Sequence, residues 1–216
     1  MRSVQRTGDP AEAMFTWGEL SAWVSGSEVD ESDQDIAVGA LLAEVTEDLE
    51  DYLGRTLIST PWILTLDRED LVRNASGDLA LRIPRPPLQS VETVTTYGVA
   101  HTAVPVAATD FTVLPGEHGR LLIPSTVINS WPELREHSSM EVEFTAGYGD
   151  TRADVPRRIQ LAVRELFAFH RQHRGEGFVL RRVITGDAGG EQISYTPRYI
   201  AKIRAAVSRY RVQVLA

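Results

Sequence analysis

His170 and His173 stand three residues apart in a stretch with helical spacing, the local arrangement in this chain that most suggests a metal site. Arg171 and Arg174 flank them, and no obvious third ligand stands at a matching spacing, so cation repulsion argues against an ion there. His170 reads better as the end of a packing stripe and His173 as a surface residue. Gly147-Tyr148-Gly149 lacks the third glycine of a phosphate cradle and reads as a tight turn needing positive φ. Glu44, Glu47, Asp48, Glu50 and Asp51 read as the solvated face of an amphipathic helix, not as an acid–base pair. Pro84-x-x-Pro87 fits a minimal polyproline ligand and, more simply, a rigid link between strands. No Gly-x-Ser-x-Gly elbow occurs. The absence of cysteine excludes disulfides, thiolate metal centres and cysteine nucleophiles. The sequence therefore predicts no catalytic, cofactor-binding or metal residue, and no cofactor.

The elements that would position any site begin with Met1–Glu12, expected as a mobile arm. Thr16 and Glu19 match a capping box ahead of a short helix over Trp17–Val24. A stronger helix is predicted over Asp33–Leu53, with Ile36, Ala40, Leu41, Val45, Leu49 and Tyr52/Leu53 at helical spacing and Gly54 as its left-handed stop. From Thr56 to Ala146 the period shortens. Six short runs (62–66, 79–83, 91–97, 111–114, 119–123 and 140–145), punctuated by Gly, Pro, Asn and Asp, predict an antiparallel meander or small sandwich.

Asp154 or a neighbour should cap the next helix, with Pro156 in its first turn. Ile159, Ala162, Val163, Leu166 and His170 mark its buried stripe, and Arg157, Arg164 and Arg171 its other side, to about Arg174. Phe178–Thr185 and Glu191–Thr196 read as a loose hairpin or arm before a last helix from Thr196 to about Tyr210. The expected class is α+β: a helical core, an inserted β meander and a C-terminal strand-plus-helix arm. The expected division is 1–31 as an extension with a short helix, 32–175 as the core with its β insert at about 59–146, and 176–216 as a basic segment.

The 216 residues suffice for one good-sized domain or two small ones, and 43% hydrophobic with 24% charged residues excludes disorder over most of the length. No apolar run approaches the roughly 20 residues of a membrane span. With no apolar stretch at the N-terminus either, the expectation is a soluble intracellular or particle-borne protein that does not engage a membrane. The net charge of −8 hides a polarity. Residues 1–54 balance to −11, 55–155 to −5 and 156–216 to +8. A basic end on an acidic body suits a nucleic-acid contact, an acidic protein partner, or head-to-tail packing of identical subunits, while an ordinary solvated helix also fits.

Several stretches in order carry a resemblance: Leu42–Ile58 (LAEVTEDLEDYLGRTLI), Trp62–Asp67, Leu81–Val94 (LRIPRPPLQSVETV) and Val142–His173 (VEFTAGYGDTRADVPRRIQLAVRELFAFHRQH). Together they resemble tailed-phage head–tail connector (adaptor) proteins, a class also found in gene transfer agents. The resemblance implies a non-enzymatic structural protein of the virion neck, assembled in the host cytoplasm. It implies a ring, dodecameric in the particle, between the portal protein and the stopper, head-completion or tail protein. Such a ring extends the channel for double-stranded DNA, which passes without sequence specificity. It also implies a portal-docking C-terminal segment, for which Arg181, Arg182, Arg198, Tyr199, Lys202, Arg204, Arg209, Tyr210 and Arg211 are the candidates. On this expectation a cut after about Arg174 leaves a folded protein that no longer binds portal. The alternative from the same arginines is a nucleic-acid-binding module.

Overall fold

The computed structural model describes residues 2–21, 31–172 and 196–212. It is α+β and divides into two compact units: Met1–Glu12 with Gly54–Asp154, and Ala13–Leu53 with Val155–Ala216.

The first unit is built on two antiparallel sheets. Eight strands form: β1 (Ser3–Arg6), β2 (Thr60–Leu66), β3 (Leu79–Arg82), β4 (Leu88–Tyr97), β5 (Ala103–Pro105), β6 (Thr112–Leu114), β7 (Arg120–Ile123) and β8 (Met140–Ala146). One sheet runs β1-β2-β8-β4-β5 and the other β3-β7-β6. Alternation sets the faces: along β2, Trp62, Leu64 and Leu66 are buried, and opposite them on β8 lie Phe144, Val142 and Met140. Leu79 and Leu81 of β3 and Leu121 and Ile123 of β7 complete one apolar cluster with them. Each fully buried side chain of this kind contributes roughly 1.5–3 kcal/mol.

The six predicted runs all contain strands. The structure adds β5, whose three residues are too few to show a period. It also corrects the arm: Ser3–Arg6 is an edge strand registered on Trp62–Thr65 of β2, because the free edge of β2 offers backbone hydrogen bonds that no local pattern announces. The 84–87 corner carries a cis Pro86–Pro87 bond and Arg85 at φ 57. Gly147 has φ 142, and a Cβ there would stand 2.5 Å from the Ser59 backbone nitrogen, so the glycine turn is required by both conformation and space. Asn74, in a glycosylation-like triplet, instead closes a turn by accepting from the Ser76 and Asp78 backbone N–H groups at 2.9 and 3.0 Å.

The second unit is helical: α1 (Trp17–Ser21), α2 (Glu31–Leu53), α4 (Arg157–Gln172) and α5 (Thr196–Val207), α3 being the short Ser125–Ile128 turn of the first unit. The core helix α4 packs against both α2 and α5. Leu41, Val45, Leu49 and Leu53 of α2 are buried as expected, and Gly54 stops the helix at φ 66. Ala40, placed on the packing stripe, is exposed, and Glu50, placed on the acidic face, is buried at 4%. Glu44, Glu47, Asp48 and Asp51 remain exposed. The acidic face is therefore narrower than the composition suggests.

On α4 the stripe is Ile159, Ala162, Val163, Leu166 and also Phe167, while His170 is only half-buried and meets Phe169 edge-on. Arg164 and Arg171 are half-buried too, so the arginine row does not all lie in solvent. Asp154 does not cap α4: its carboxylate accepts from the Thr151 N–H and hydroxyl, and the Pro156 carbonyl receives the first α4 amides. At α1, the Glu19 carboxylate accepts from the Thr16 N–H at 2.9 Å and from the Thr16 hydroxyl at 3.2 Å, the reach-back contact expected of a capping box. The far end of the predicted 17–24 helix and the predicted 178–185 and 191–195 strands lie outside the described residues.

Candidate functional site

The C-terminal cations occupy α5 and the 3-10 turn Ser208–Tyr210 that follows it. Among the described side chains of this helix Ile203 at 2% and Val207 at 0% exposure are buried, which anchors it to the helical unit. Ile200 is half-buried, while Ala201, Lys202, Arg204, Ala205 and Ala206 of α5 and Ser208 and Arg209 of the turn are exposed. Spacing of three and four places the apolar stripe on one side and distributes the cations over the rest.

The candidates behave differently from one another. Arg204 and Arg211 are both turned to Tyr52 on α2: their guanidinium carbons lie 5.0 and 5.2 Å from the Tyr52 ring centroid. The Tyr52 hydroxyl donates to the Arg204 carbonyl at 3.4 Å, and the Val212 N–H donates to the Leu53 carbonyl at 2.9 Å. Two cation–π contacts, at about 0.5–1 kcal/mol each for exposed sites, thus tie the C-terminal helix to the end of α2. The C-terminal end of a helix carries a partial negative charge, which favours cations. Arg209 stacks 4.6 Å from the ring of half-buried Tyr210 and hydrogen-bonds its hydroxyl. Lys202 is exposed with its charge turned to solvent. Arg198 and Tyr199 lie in the first turn of α5, and Arg181 and Arg182 lie outside the described residues.

The sequence treated Tyr52 as one more member of a packing stripe and so missed its role. The available signal was an aromatic at the last turn of an acidic helix in a chain whose cations collect at the other end. A cut after Arg174 also takes Ile203 and Val207 out of the helical unit, so the truncated chain loses packing as well as charge.

The rest of the chain offers little chemistry. No group of three or more His, Asp or Glu side chains is arranged to hold a metal ion among the described residues. His137 approaches Asp67 at 3.5 Å, but the Asp67 carboxylate is already taken by the Ser138 N–H at 2.8 Å. Arg55 is buried against Glu117 and the Tyr148 hydroxyl, a structural cluster at the glycine turn. Tyr97 donates to Glu141 at 2.6 Å, which holds its phenol above the ordinary range. No described helix is long and apolar enough to cross a membrane.

No protein-family model matches the chain, and no curated protein is similar to it. Solved structures are. A chain in the neck of an empty gene transfer agent particle, computed with C6 symmetry, is 18% identical with a TM-score of 0.65, covering 99% of this chain and 98% of that one. A chain in the neck of the native particle, computed with C12 symmetry, is 19% identical with the same TM-score and the same coverage. A chain in the virion of the native gene transfer agent is 20% identical with a TM-score of 0.63, covering 99% of this chain and 97% of that one. Along its whole length, this chain has the fold of proteins found in the necks of gene transfer agent particles.

Proposed function

We propose that this chain is a structural head–tail connector, the adaptor of a phage-like particle. Copies of it form a ring in the neck between the portal and the stopper or tail protein, extend the channel for double-stranded DNA, and catalyse no reaction. The observation that carries this reading is the end-to-end likeness to neck chains of particles computed with C6 and C12 symmetry. A likeness confined to one unit would point only to a shared module. A closed ring requires heterologous contacts, in which two different surfaces of the same chain meet.

The basic 176–216 segment is the portal-facing part in this proposal. Within it, Lys202 is exposed and Arg209 contacts only its chain neighbour Tyr210, so both can meet a partner without releasing α5 from α2, whereas Arg204 and Arg211 are engaged on Tyr52. The doubly reversed variant Lys202→Glu/Arg209→Glu should therefore fold normally and lose portal co-sedimentation. A loss of roughly 5- to 30-fold corresponds to about 1–2 kcal/mol for two interface charges. Undiminished binding removes this assignment of the portal face. A reconstruction of a particle neck that contains no copy of this chain removes the reading altogether. Steeply salt-dependent duplex binding by the isolated protein would favour the nucleic-acid module instead.

A further inference from the structure

The outer faces of the two sheets carry opposite charge. Buried residues of both sheets share one apolar cluster, so the alternate residues of each sheet point away from it, on opposite sides of the unit. On the five-stranded sheet the outward carboxylates are Glu92 of β4 and Glu141 and Glu143 of β8. Their contacts are all with hydroxyls. Thr93 donates to Glu143 at 2.8 Å, Tyr97 to Glu141 at 2.6 Å, and Ser90 and Thr145 both to Glu92, at 2.6 and 2.8 Å. None of the three forms an ion pair among the described residues. Arg135, at the end of this face, is held by the Ser138 carbonyl at 2.8 Å and lies 4.3 Å from the Tyr97 ring centroid.

The three-stranded sheet is the reverse. Arg82 of β3 and Arg120 of β7 stand directly opposite each other, both exposed, and neither forms an ion pair among the described residues. Like charges at directly opposed positions destabilise a strand pair, and an arriving anion relieves that repulsion. Arg2 donates to the Arg82 carbonyl at 2.5 Å, which adds a third guanidinium beside Arg82. The carboxylates in the neighbouring turns are engaged within the unit. Asp70 accepts from the Asp67 N–H at 3.0 Å, Asp78 accepts from the Ser125 N–H at 2.8 Å, and Glu117 pairs with Arg55. Aliphatic surface borders the cations: Leu114, opposite Arg120 on β6, is 44% exposed, and Leu122 is half-buried.

We propose that copies of this chain dock head to tail through these two faces, Arg82 and Arg120 of one copy pairing with Glu92 and Glu143 of the next. Charge selects a second copy as the occupant. Both signs stand on one unit, on faces that point in opposite directions, so each copy offers the surface its neighbour lacks. The planar guanidinium fork matches a carboxylate. Leucines beside the arginines suit a face that carries threonine methyls and the half-buried Ile63, set between Gln5 and Glu143, better than they suit a run of phosphates. The place of this contact in a ring rests on the connector reading, whereas the docking itself is tested on the free chain.

The test uses sedimentation velocity on the full chain at low salt, up to millimolar concentration, with two variants: Glu92→Arg/Glu143→Arg and Arg82→Glu/Arg120→Glu. The unaltered chain should self-associate, and less so as salt rises. Each variant alone sets like charges across the contact and should associate at least about ten-fold more weakly. An equal mixture of the two should recover association, because both contacts of an alternating array then join opposite charges; recovery also shows that both variants fold. A monomeric unaltered chain, undiminished association in either variant, or no recovery in the mixture would each overturn the proposal. So would loss of duplex binding in Arg82→Glu/Arg120→Glu with self-association intact, which would give these arginines to nucleic acid. All of these outcomes leave the connector reading standing, since that reading falls only with a neck reconstruction that lacks the chain.

Discussion

Replacing Tyr52 by leucine separates what pins α5 from what merely covers it. Leucine keeps apolar bulk at the end of α2 but removes the ring over which Arg204 and Arg211 sit at 5.0 and 5.2 Å. Two such contacts at about 0.5–1 kcal/mol each give a loss of about 1–2 kcal/mol. The hydroxyl bond to the Arg204 carbonyl, at 3.4 Å, is long and adds little. Because five of the described α5 side chains, Ala201, Lys202, Arg204, Ala205 and Ala206, are exposed, the loss should appear first as local opening of that helix and not as global unfolding. Native-state amide hydrogen exchange on the full chain reads it directly: α5 amides should exchange roughly 5- to 30-fold faster, while β2 and β8 amides keep their rates. Ile203→Ala is the control, costing about 2–5 kcal/mol by removing a buried side chain. If Ile203→Ala accelerates α5 exchange and Tyr52→Leu does not, the apolar stripe alone holds the helix and the account of Tyr52 fails.

Three further outcomes follow from the geometry. Gly147→Ala should destabilise the chain by at least about 2 kcal/mol in urea denaturation, since it adds a Cβ at φ 142 against the Ser59 backbone. Gly39→Ala, on the exposed side of α2 with no heavy atom within 4 Å of the added carbon, should stabilise it by about 0.5–1 kcal/mol in the same assay. Tyr97, raised first by its hydrogen bond to Glu141 and then by burial, should be missing from the late end of an ultraviolet phenol titration in Tyr97→Phe. Its contribution to stability is fully present below the ordinary tyrosine value of about 10 and is lost as pH climbs through the raised value. The variant should therefore have a flatter alkaline limb of stability against pH.

The fold was legible where periodicity spans enough residues to exceed noise. The 23 residues of α2 and the alternation of β2 and β8 announce themselves. Ser3–Arg6 and Ala103–Pro105 do not, because a strand of three or four residues is specified by the edge it meets and not by its own side chains. Glu50 shows a related limit. Its neighbours Glu47 and Asp51 are exposed while it is buried at 4%, a difference set by what packs on that turn of α2 and invisible to a count of carboxylates.

Function was legible through a different channel. No side chain in this sequence declares a reaction, and the charge polarity from −11 to +8 points to partners without saying which cations meet them. Tertiary structure sorts those cations. Arg204 and Arg211 sit over the Tyr52 ring, whereas Lys202 on α5 is exposed and Arg209 on the following turn contacts only its neighbour Tyr210. An arginine that ties its helix to another element and one that contacts only its chain neighbour are identical in sequence; the ring of Tyr52, some 150 residues upstream of Arg204 in the chain, tells them apart. A binding study that pooled all four cations would therefore confuse loss of α5 docking with loss of contact. The Tyr52→Leu and Lys202→Glu/Arg209→Glu variants, measured side by side for hydrogen exchange and portal binding, keep the two effects separate.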